Sequence, residues 1–421
     1  MEYLYILKQA LIWVLTAFWC YQFVISLCAL VKLKDKPYLV NKNHKFMAII
    51  PAHNEEMVVG NLIESLKKQT YDKNLYDIYV IADNCTDKTA EVARKAGAIV
   101  YERFDNAHKT KGYALQWFLK QKIAENADYD AFFVFDADNI VDKNFIINMN
   151  KKLCQGEEVV QGYRDIKNPT DNWITAGYAL FYWTMHRMYH LARYNIGLSP
   201  LLNGTGFMVK FDVVKPNGWE TETLTEDIEF SLKQIIQGRK LGWATDAIVY
   251  DEQPTSFKQA WSQRSRWTVG HMQCIKEYTK QLAVAAKEKK TMMNFDGLLY
   301  IVGSIPMFII TIVLLLTNFL MYGAKEMTEV ELIINILRFA IPTFLLPIGT
   351  AVIAMYLDRR PIKPMLKGLA CYPLFMGSWL LINFKCLFKR ETTWEKINHV
   401  RDIKIADAGL QVEPTMQEGQ N

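Results

Sequence analysis

Seven cysteines are spread through the chain, at Cys20, Cys28, Cys85, Cys154, Cys274, Cys371 and Cys386, and no two form a Cys-x-x-Cys pair. Several sit in apolar segments. This argues against a zinc site or a disulfide framework and for a reducing compartment. No run of lysine and arginine is dense enough to line a nucleic-acid groove, and the net charge of +5 is modest. That balance suits a neighbour of anionic lipid with an anionic small substrate, not a nucleic-acid binder. The N-terminal apolar stretch lacks a convincing small-x-small cleavage site and is too long for a signal-peptide core. What the chain does have is apolar bulk. Hydrophobic residues make up 51% and aromatics 13% of 421 residues, enough for one large core plus extra elements.

Ala10 to Val31 carry no charge, and these 22 residues are enough to span a bilayer. Lys32, Lys34 and Lys36 follow directly. By the positive-inside rule the next domain is cytosolic and the N-terminus lies outside. Residues 1–40 therefore read as a transmembrane anchor, and 41–255 as a soluble cytosolic domain. Apolar runs return at Gly297–Tyr322, with Pro306 as an expected kink, at Leu332–Leu357 and at Gly368–Phe384. These place a C-terminal membrane region at 297–390, with a cytosolic tail at 391–421. The basic loop Asp358-Arg359-Arg360-Pro361-Ile362-Lys363-Pro364 should face the cytosol. Three full crossings after a cytosolic domain would put the tail outside. Yet basic residues flank the last run on both sides, so that run is expected to be re-entrant or interfacial. The localisation this implies is a multi-pass protein of the plasma membrane with its main domain cytosolic.

Within 41–255, short apolar strands alternate with helices. Phe46–Ile50, Ile78–Ala82, Ile99–Tyr101 and Ala131–Phe135 read as strands. Asn61–Lys68 and Thr89–Ala96 read as helices, the second capped by Thr86 or Asp87 and stopped by Gly97. The alternation predicts an α/β domain with a mostly parallel sheet, and ligands of such sheets bind beyond the carboxyl ends of the strands. Polar clusters fall there: His53-Asn54-Glu55-Glu56, Asp83-Asn84 and Asp136-Ala137-Asp138.

Asp136 and Asp138 can turn toward one hard cation. Mg²⁺ or Mn²⁺ there would stabilise a departing diphosphate. A pair of ordinary loop acids is the plain alternative. Lys111 opens a helix, Tyr113–Gln121, where an ammonium can reach a phosphate; a solvated lysine is the alternative. Thr225-Glu226-Asp227 opens the helix Ile228–Gln237. Thr225 fits an ordinary N-cap, and Asp227 fits a general base, with Glu226 beside it able to raise one of the two pKa values. Gln263-Arg264-Ser265-Arg266-Trp267 lies in an amphipathic interface segment, residues 256–296, suited to a membrane surface. Arg266 could hold a diphosphate bidentately, and Trp267 offers a face for a sugar ring. Asn203-Gly204-Thr205-Gly206-Phe207 is either a simple turn or a close backbone approach to substrate. The aromatic stretch Trp173–Tyr194 reads as core or as a sugar-lined or membrane-facing surface.

These motifs, in this order and between membrane segments, resemble the membrane-embedded processive family 2 glycosyltransferases: cellulose, hyaluronan and poly-N-acetylglucosamine synthases. The wording Ala82-Asp83-Asn84-Cys85-Thr86-Asp87 and Phe135-Asp136-Ala137-Asp138-Asn139 is most similar to small Gram-positive exopolysaccharide synthases. The match covers about Met47 to Gly270. The resemblance implies a GT-A fold and inverting transfer from a UDP-sugar to a growing polysaccharide acceptor. It implies that Ala52, His53 and Glu55 line the nucleotide pocket, Asp83 contacts uracil and Lys111 the diphosphate. Asp136 and Asp138 would hold nucleotide and metal, and Gly204, Thr205, Gly206 and Phe207 would approach the acceptor. Asp227 would be the base. Gln263, Arg266 and Trp267 would bind diphosphate and acceptor end. The sequence departs from the family at Ala82-Asp83-Asn84, where Asp-Asp-Gly is common. It also lacks the gating-loop motif and a cyclic-dinucleotide domain. Trp394, within Thr392–His399, is expected either to fold back over the nucleotide as a gate or to anchor at the membrane surface. UDP-glucose is favoured over UDP-N-acetylglucosamine, and a β-glucan is the favoured product. Single transfer to a polyprenyl phosphate or other lipid is the nearest alternative, and a non-catalytic subunit of a secretion complex is the alternative of another class. A secretion or regulatory subunit is left open as a partner.

Overall fold

The computed structural model describes residues 2–31 and 37–388. Its centre is an eight-stranded sheet: β1 (Phe46–Ala52), β2 (Tyr76–Asp83), β3 (Ile99–Arg103), β4 (Ala131–Val134), β5 (Ile140–Val141), β6 (Val159–Ile166), β7 (Phe207–Lys210) and β8 (Gly242–Asp251). The order across the sheet is β3-β2-β1-β4-β7-β6-β8-β5. β3, β2, β1 and β4 run parallel. β7 is antiparallel to both its neighbours, β6 runs parallel to β8, and β5 pairs antiparallel at the far edge. The expected mostly parallel α/β sheet is present, with the antiparallel β7 dividing it.

Ile49, Ile50, Val80, Ile81, Phe132 and Phe133 are fully buried, because helices cover both faces of the sheet. One layer sets Phe46, Ile50 and Phe133 against Leu62, Leu66, Phe145 and Met149. The other sets Ile49, Phe132 and Phe207 against Phe118, Trp219, Phe230, Tyr278 and Leu282. Strands β1, β2 and β4 end at the same edge of this sandwich, so the polar clusters that follow them converge there.

Among the described residues, four helices are long and apolar enough to cross a membrane: Glu2–Leu30, Ile305–Gly323, Glu329–Leu357 and Lys363–Phe388. The N-terminal one docks through a buried ion pair. Arg193 donates to Asp296 (2.9 Å), and Tyr21 donates to the same carboxylate (2.9 Å). Glu329–Leu357 returns to the sheet domain, where Arg187 meets Asp358 (2.8 Å) and Arg360 meets Asp165 (2.7 Å). The loop at Asp358–Arg360 therefore shares a side with the sheet.

The last segment contains no turn-back. Leu366–Phe388 is one helix with Pro373 inside it, which corrects the re-entrant alternative. It is also embedded in the protein. In its most apolar window 44% of residues are buried, against 6% for Glu2–Leu30 and for Glu329–Leu357. A Cβ on Gly177 would stand 2.5 Å from Phe375, and one on Gly368 would stand 2.5 Å from Ala176. Arg264, fully buried, donates to Phe375 O (3.0 Å) and Ser378 Oγ (2.9 Å). Thr268 donates to Asn383 (3.2 Å), and Val269 packs with Ile382 and Cys386. The helix thus lies along the helices Trp173–Thr184 and Phe257–Lys289 from Gly368 to Cys386.

Candidate active site

The acids after β4 and the helix Glu226–Gln237 face each other across Lys111. Lys111 is the first residue of the helix Lys111–Ala124, which Thr110 caps through its hydroxyl. Its ammonium donates to Asp136 Oδ1 (2.5 Å) and to Gly204 O (2.6 Å), and lies 3.7 Å from Glu226 Oε1. Burial works against the lysine's charge. The carboxylates of Asp136, Glu226 and Asp227 outweigh burial and raise its pKa. Gly112 lets this helix come close, since a Cβ there would sit 2.5 Å from Thr221 Oγ1 and 3.3 Å from Glu226 Cβ.

Asp227 stands in the first turn of its helix. Burial, then the neighbouring charge of Glu226, push its carboxyl up to about 7. Glu226 is also raised, by burial and by Asp136, against the pull of Lys111 and Arg266. Both side chains keep part of their surface open to solvent. The expected cap is corrected: Thr225 occupies the N-cap position, but its hydroxyl makes no capping bond. It points instead at Cys274 Sγ (3.7 Å). The Thr-Glu-Asp loop is held from the interface helix. Gln273 accepts from Leu224 N–H (2.9 Å), and Tyr278 donates to Glu229 (2.7 Å). Glu229 in turn accepts from the Glu222 and Thr223 amides. A Cβ on Gly270 would fall 2.6 Å from Thr225 Cγ2, so Gly270 lets the helix close on the loop.

The Asn203–Phe207 segment divides its roles. Gly204, at φ +91°, brings backbone next to Asp227: a Cβ there would lie 3.7 Å from Asp227 Oδ2. Thr205 is fully buried, and its hydroxyl bonds Asn139 Oδ1 and accepts from Asp136 N–H (3.0 Å). Gly206 fits against Val249, where a Cβ would be 2.3 Å away. Phe207 is in β7 with its ring stacked on Trp219 (5.7 Å), inside the core. An acceptor contact by the Phe207 side chain is therefore corrected: alternation along the strand turns it inward.

Asp83 ends β2. It accepts from Arg103 (2.6 Å) and Asn84 (3.1 Å), and burial raises its pKa against these partners. His53 Nδ1 bonds Asp83 O (2.7 Å). Ala52 O accepts from Cys85 (3.4 Å), and the Glu55 amide donates to Thr89 (2.7 Å). The expected cap at Thr86 or Asp87 is corrected: Lys88 occupies the N-cap position without a side-chain capping bond, and Asp87, one residue earlier, accepts from the Thr89 amide (3.0 Å). Ala52, His53, Glu55 and Asp83 thus lie together beyond β1 and β2.

The Gln-Arg-Ser-Arg-Trp segment splits between two duties. Gln263 accepts from Tyr178 (2.7 Å), and Trp267 meets Tyr178 edge-on at 6.1 Å. Arg266 acts electrostatically on Glu226. Arg264 turns the other way, into the membrane-helix contact. The aromatic stretch Trp173–Tyr194 is mostly core: Tyr178, Tyr182 and Trp183 are buried.

Asp138 accepts from Asn139 Nδ2 (3.2 Å), and Lys167 donates to its carbonyl. Among the described residues no group of three or more His, Cys, Asp or Glu forms a metal cluster. Two carboxylates, with diphosphate oxygens and water completing the shell, are the usual protein share for Mg²⁺. Asp136 and Asp138, both partly exposed just beyond β4, would supply that share. Trp394 lies outside the described residues.

Several supporting residues carry no motif. Arg164 pairs with Asp251 and donates to Asn203 O (2.8 Å). Asn139 donates to Asp251 Oδ1 (3.0 Å), and Gln161 accepts from Asn203 N–H (2.9 Å). Asn139, three positions after Asp136 and directly beside Asp138, was the one available signal.

A family model described as "Glycosyltransferase like family 2" matches residues 44–270, more than half of the chain. The chain belongs to this family. Its solved neighbours include a mannosyltransferase, PcManGT of Pyrobaculum calidifontis, in complex with GDP-Man and Mn²⁺. That structure aligns at TM-score 0.59 and 15% identity, covering 92% of this chain and all of that one, which establishes a shared GT-A-like fold. Among curated relatives, the probable glycosyltransferase YdaM of Bacillus subtilis is 27% identical, over 60% of each chain. The beta-monoglucosyldiacylglycerol synthase of Nostoc is 28% identical, over 55% of this chain and 49% of that one. Glucomannan 4-beta-mannosyltransferase 7 of Arabidopsis thaliana is 26% identical, over 55% and 44%. The matched part spans about half to three fifths of these relatives. Family membership, with Asp136, Asp138 and Asp227 all present, favours an enzyme over the non-catalytic reading.

Proposed function

We propose that this glycosyltransferase moves a hexose from a UDP-sugar, UDP-glucose before UDP-N-acetylglucosamine, to the growing end of a β-linked polysaccharide. It acts at the cytosolic face of the plasma membrane and passes the product across with its own helices. Three crossings serve this reading: the N-terminal helix, Ile305–Gly323 and Glu329–Leu357. Leu366–Phe388 stays at the interface, which resolves the parity of the tail. The observation that carries the reading is Asp227. It is a carboxyl raised to about 7 that lies beside Gly204 and across Lys111 from Asp136.

Asp227 in its ionised form takes the proton of an acceptor hydroxyl. A base with this pKa is matched to neutral pH. The hydroxyl oxygen attacks the anomeric carbon from the face opposite UDP. The bond from that carbon to the diphosphate breaks, and its electron pair leaves on the diphosphate oxygen. Lys111 and Arg266 stabilise that charge as it develops. A divalent cation held by Asp136 and Asp138 would supply further neutralisation of the diphosphate. Gln263, Tyr178 and Trp267 orient the acceptor on the path toward the membrane helices. A second reading, transfer of one sugar to a lipid, is favoured by the named lipid-acceptor relative and by the docking of the apolar helix Leu366–Phe388 beside Trp267.

The test uses the full chain in nanodiscs with Mg²⁺ or Mn²⁺ and one UDP-sugar at a time. UDP release and product size are scored together, with Asp227→Asn as control. High-molecular-weight product from one donor supports polymerisation. Short or lipid-linked product supports the second reading. No release from any donor overturns both.

A further inference from the structure

The helix Trp173–Thr184 widens into a π-helical turn at Met185–Leu191. Such turns recur at functional sites, and this one aims two histidines inward. His186 and His190 are buried to 0% and 2% exposure. Both rings pack on Trp243, at 5.3 and 5.0 Å. Burial holds both below the ordinary histidine range, so both are neutral acceptors at pH 7. His190 Nδ1 accepts from Leu201 N–H (3.4 Å). His186 Nε2 accepts from Asn203 Nδ2 (3.0 Å).

These bonds grip the segment that leads into Gly204. Other side chains hold Leu202 and the Asn203 backbone. Ser231 accepts from Leu202 N–H (2.9 Å) and donates to Asp227 O (2.7 Å). Gln161 and Arg164 hold the Asn203 backbone. The Asn203 side chain is different. Its Oδ1 is buried with no hydrogen-bond partner among the described residues. The bond to His186 is therefore what fixes its rotation. Without it the Asn203 side chain would lose its anchor directly before the turn that places Gly204 against Asp227.

We infer that His186 is a positioning residue for glycosyl transfer: through Asn203 it fixes the Gly204 backbone over Asp227 and so aligns the acceptor hydroxyl. It touches neither donor nor acceptor. The inference rests on Asp227 being the base of the proposed reaction. Its signature is uncoupling. When the acceptor is misaligned, the donor still binds and water takes the acceptor's place.

The experiment compares His186→Phe, which keeps an aromatic ring on Trp243, with His186→Gln, whose carbonyl oxygen reaches the Nε2 position. In the full-length protein, His186→Phe should lower kcat for transfer at least tenfold. Donor KM should stay within about twofold, and the share of donor hydrolysed to free sugar should rise. His186→Gln should restore most of the transfer. Amide hydrogen exchange gives a readout free of activity: protection at Gly204–Gly206 should fall at least tenfold in His186→Phe and recover in His186→Gln. Wild-type turnover tests the underlying reading on its own. The inference is overturned if His186→Phe keeps the wild-type transfer-to-hydrolysis ratio, if exchange at Gly204–Gly206 is unchanged, or if both variants fail alike.

Discussion

Replacing Asp227 by Asn should abolish transfer and stabilise the protein at the same time. The sign follows from the pKa. In the folded protein the carboxyl holds its proton up to about 7, against an ordinary 3.8. Below pH 4 both folded and unfolded states are protonated, and the site costs nothing. Between pH 4 and 7 the unfolded chain ionises first, so stability falls as pH rises, and above 7 the full penalty is present. At 1.36 kcal/mol per pH unit the gap corresponds to ~4 kcal/mol. The side chain still touches solvent and helps its helix N-terminus, so roughly half of that, ~2 kcal/mol, is the expected gain from Asn. For a domain of this size that is a rise in Tm of roughly 4–8 °C. The assay is thermal unfolding of both proteins at pH 4.5 and pH 8, with EDTA and without nucleotide. The variant should gain at pH 8 and gain little at pH 4.5, while transfer drops about 10²–10⁴-fold. Equal Tm values at both pH values would refute the burial argument. Retained transfer would refute the role of the base.

The acid limb of the pH–rate profile should move down by roughly one unit in Glu226→Gln, because a like charge beside Asp227 is removed; initial rates of UDP release from pH 5 to 9 check this. Lys111→Met should cut turnover about 10²–10³-fold through lost stabilisation of the leaving diphosphate, measured as single-turnover UDP release. Gly177→Val should clash with Phe375 and lower Tm, and Phe375→Ala in the same chain should recover part of the loss, a coupling read by a double-mutant cycle. Chelation should stop turnover, added Mg²⁺ or Mn²⁺ should restore it, and Asp138→Asn should require more cation for half-restoration.

The parallel half of the sheet was legible because β1, β2 and β4 are apolar runs ending in acids or in proline and small polar residues. β6 was not legible. Gln161, Arg164 and Asp165 lie within it and are buried, because partners brought from β8, the Asn203 turn and Trp183 satisfy them. Polar residues paired only in three dimensions look like loop in one. The same physics hid the Asn139–Asp251–Arg164 network and the histidines of the π-turn. Asp227, Lys111 and Asp136 were readable as separate signals, and the fold brings Asp136 and Glu226 to the Lys111 ammonium with Asp227 next in sequence to Glu226. Phe207 was misassigned because its neighbours are at the site while strand alternation sends its ring to the core.

The packing of Leu366–Phe388 along the catalytic domain has a practical side. Phe375 and Tyr372 cover Tyr178, Ala179 and Leu180, and the backbone carbonyl of Phe375 holds the guanidinium of Arg264. Ending the chain before Met292 to obtain a soluble enzyme would strip this cover. It would leave the buried Arg264 with its own helix's Ala260 carbonyl but without Phe375 O and Ser378 Oγ, and a broad aromatic face in water. The chemistry and the membrane part are thus one unit for folding and for purification, and detergents that peel the last helix away should inactivate the enzyme before they unfold its sheet.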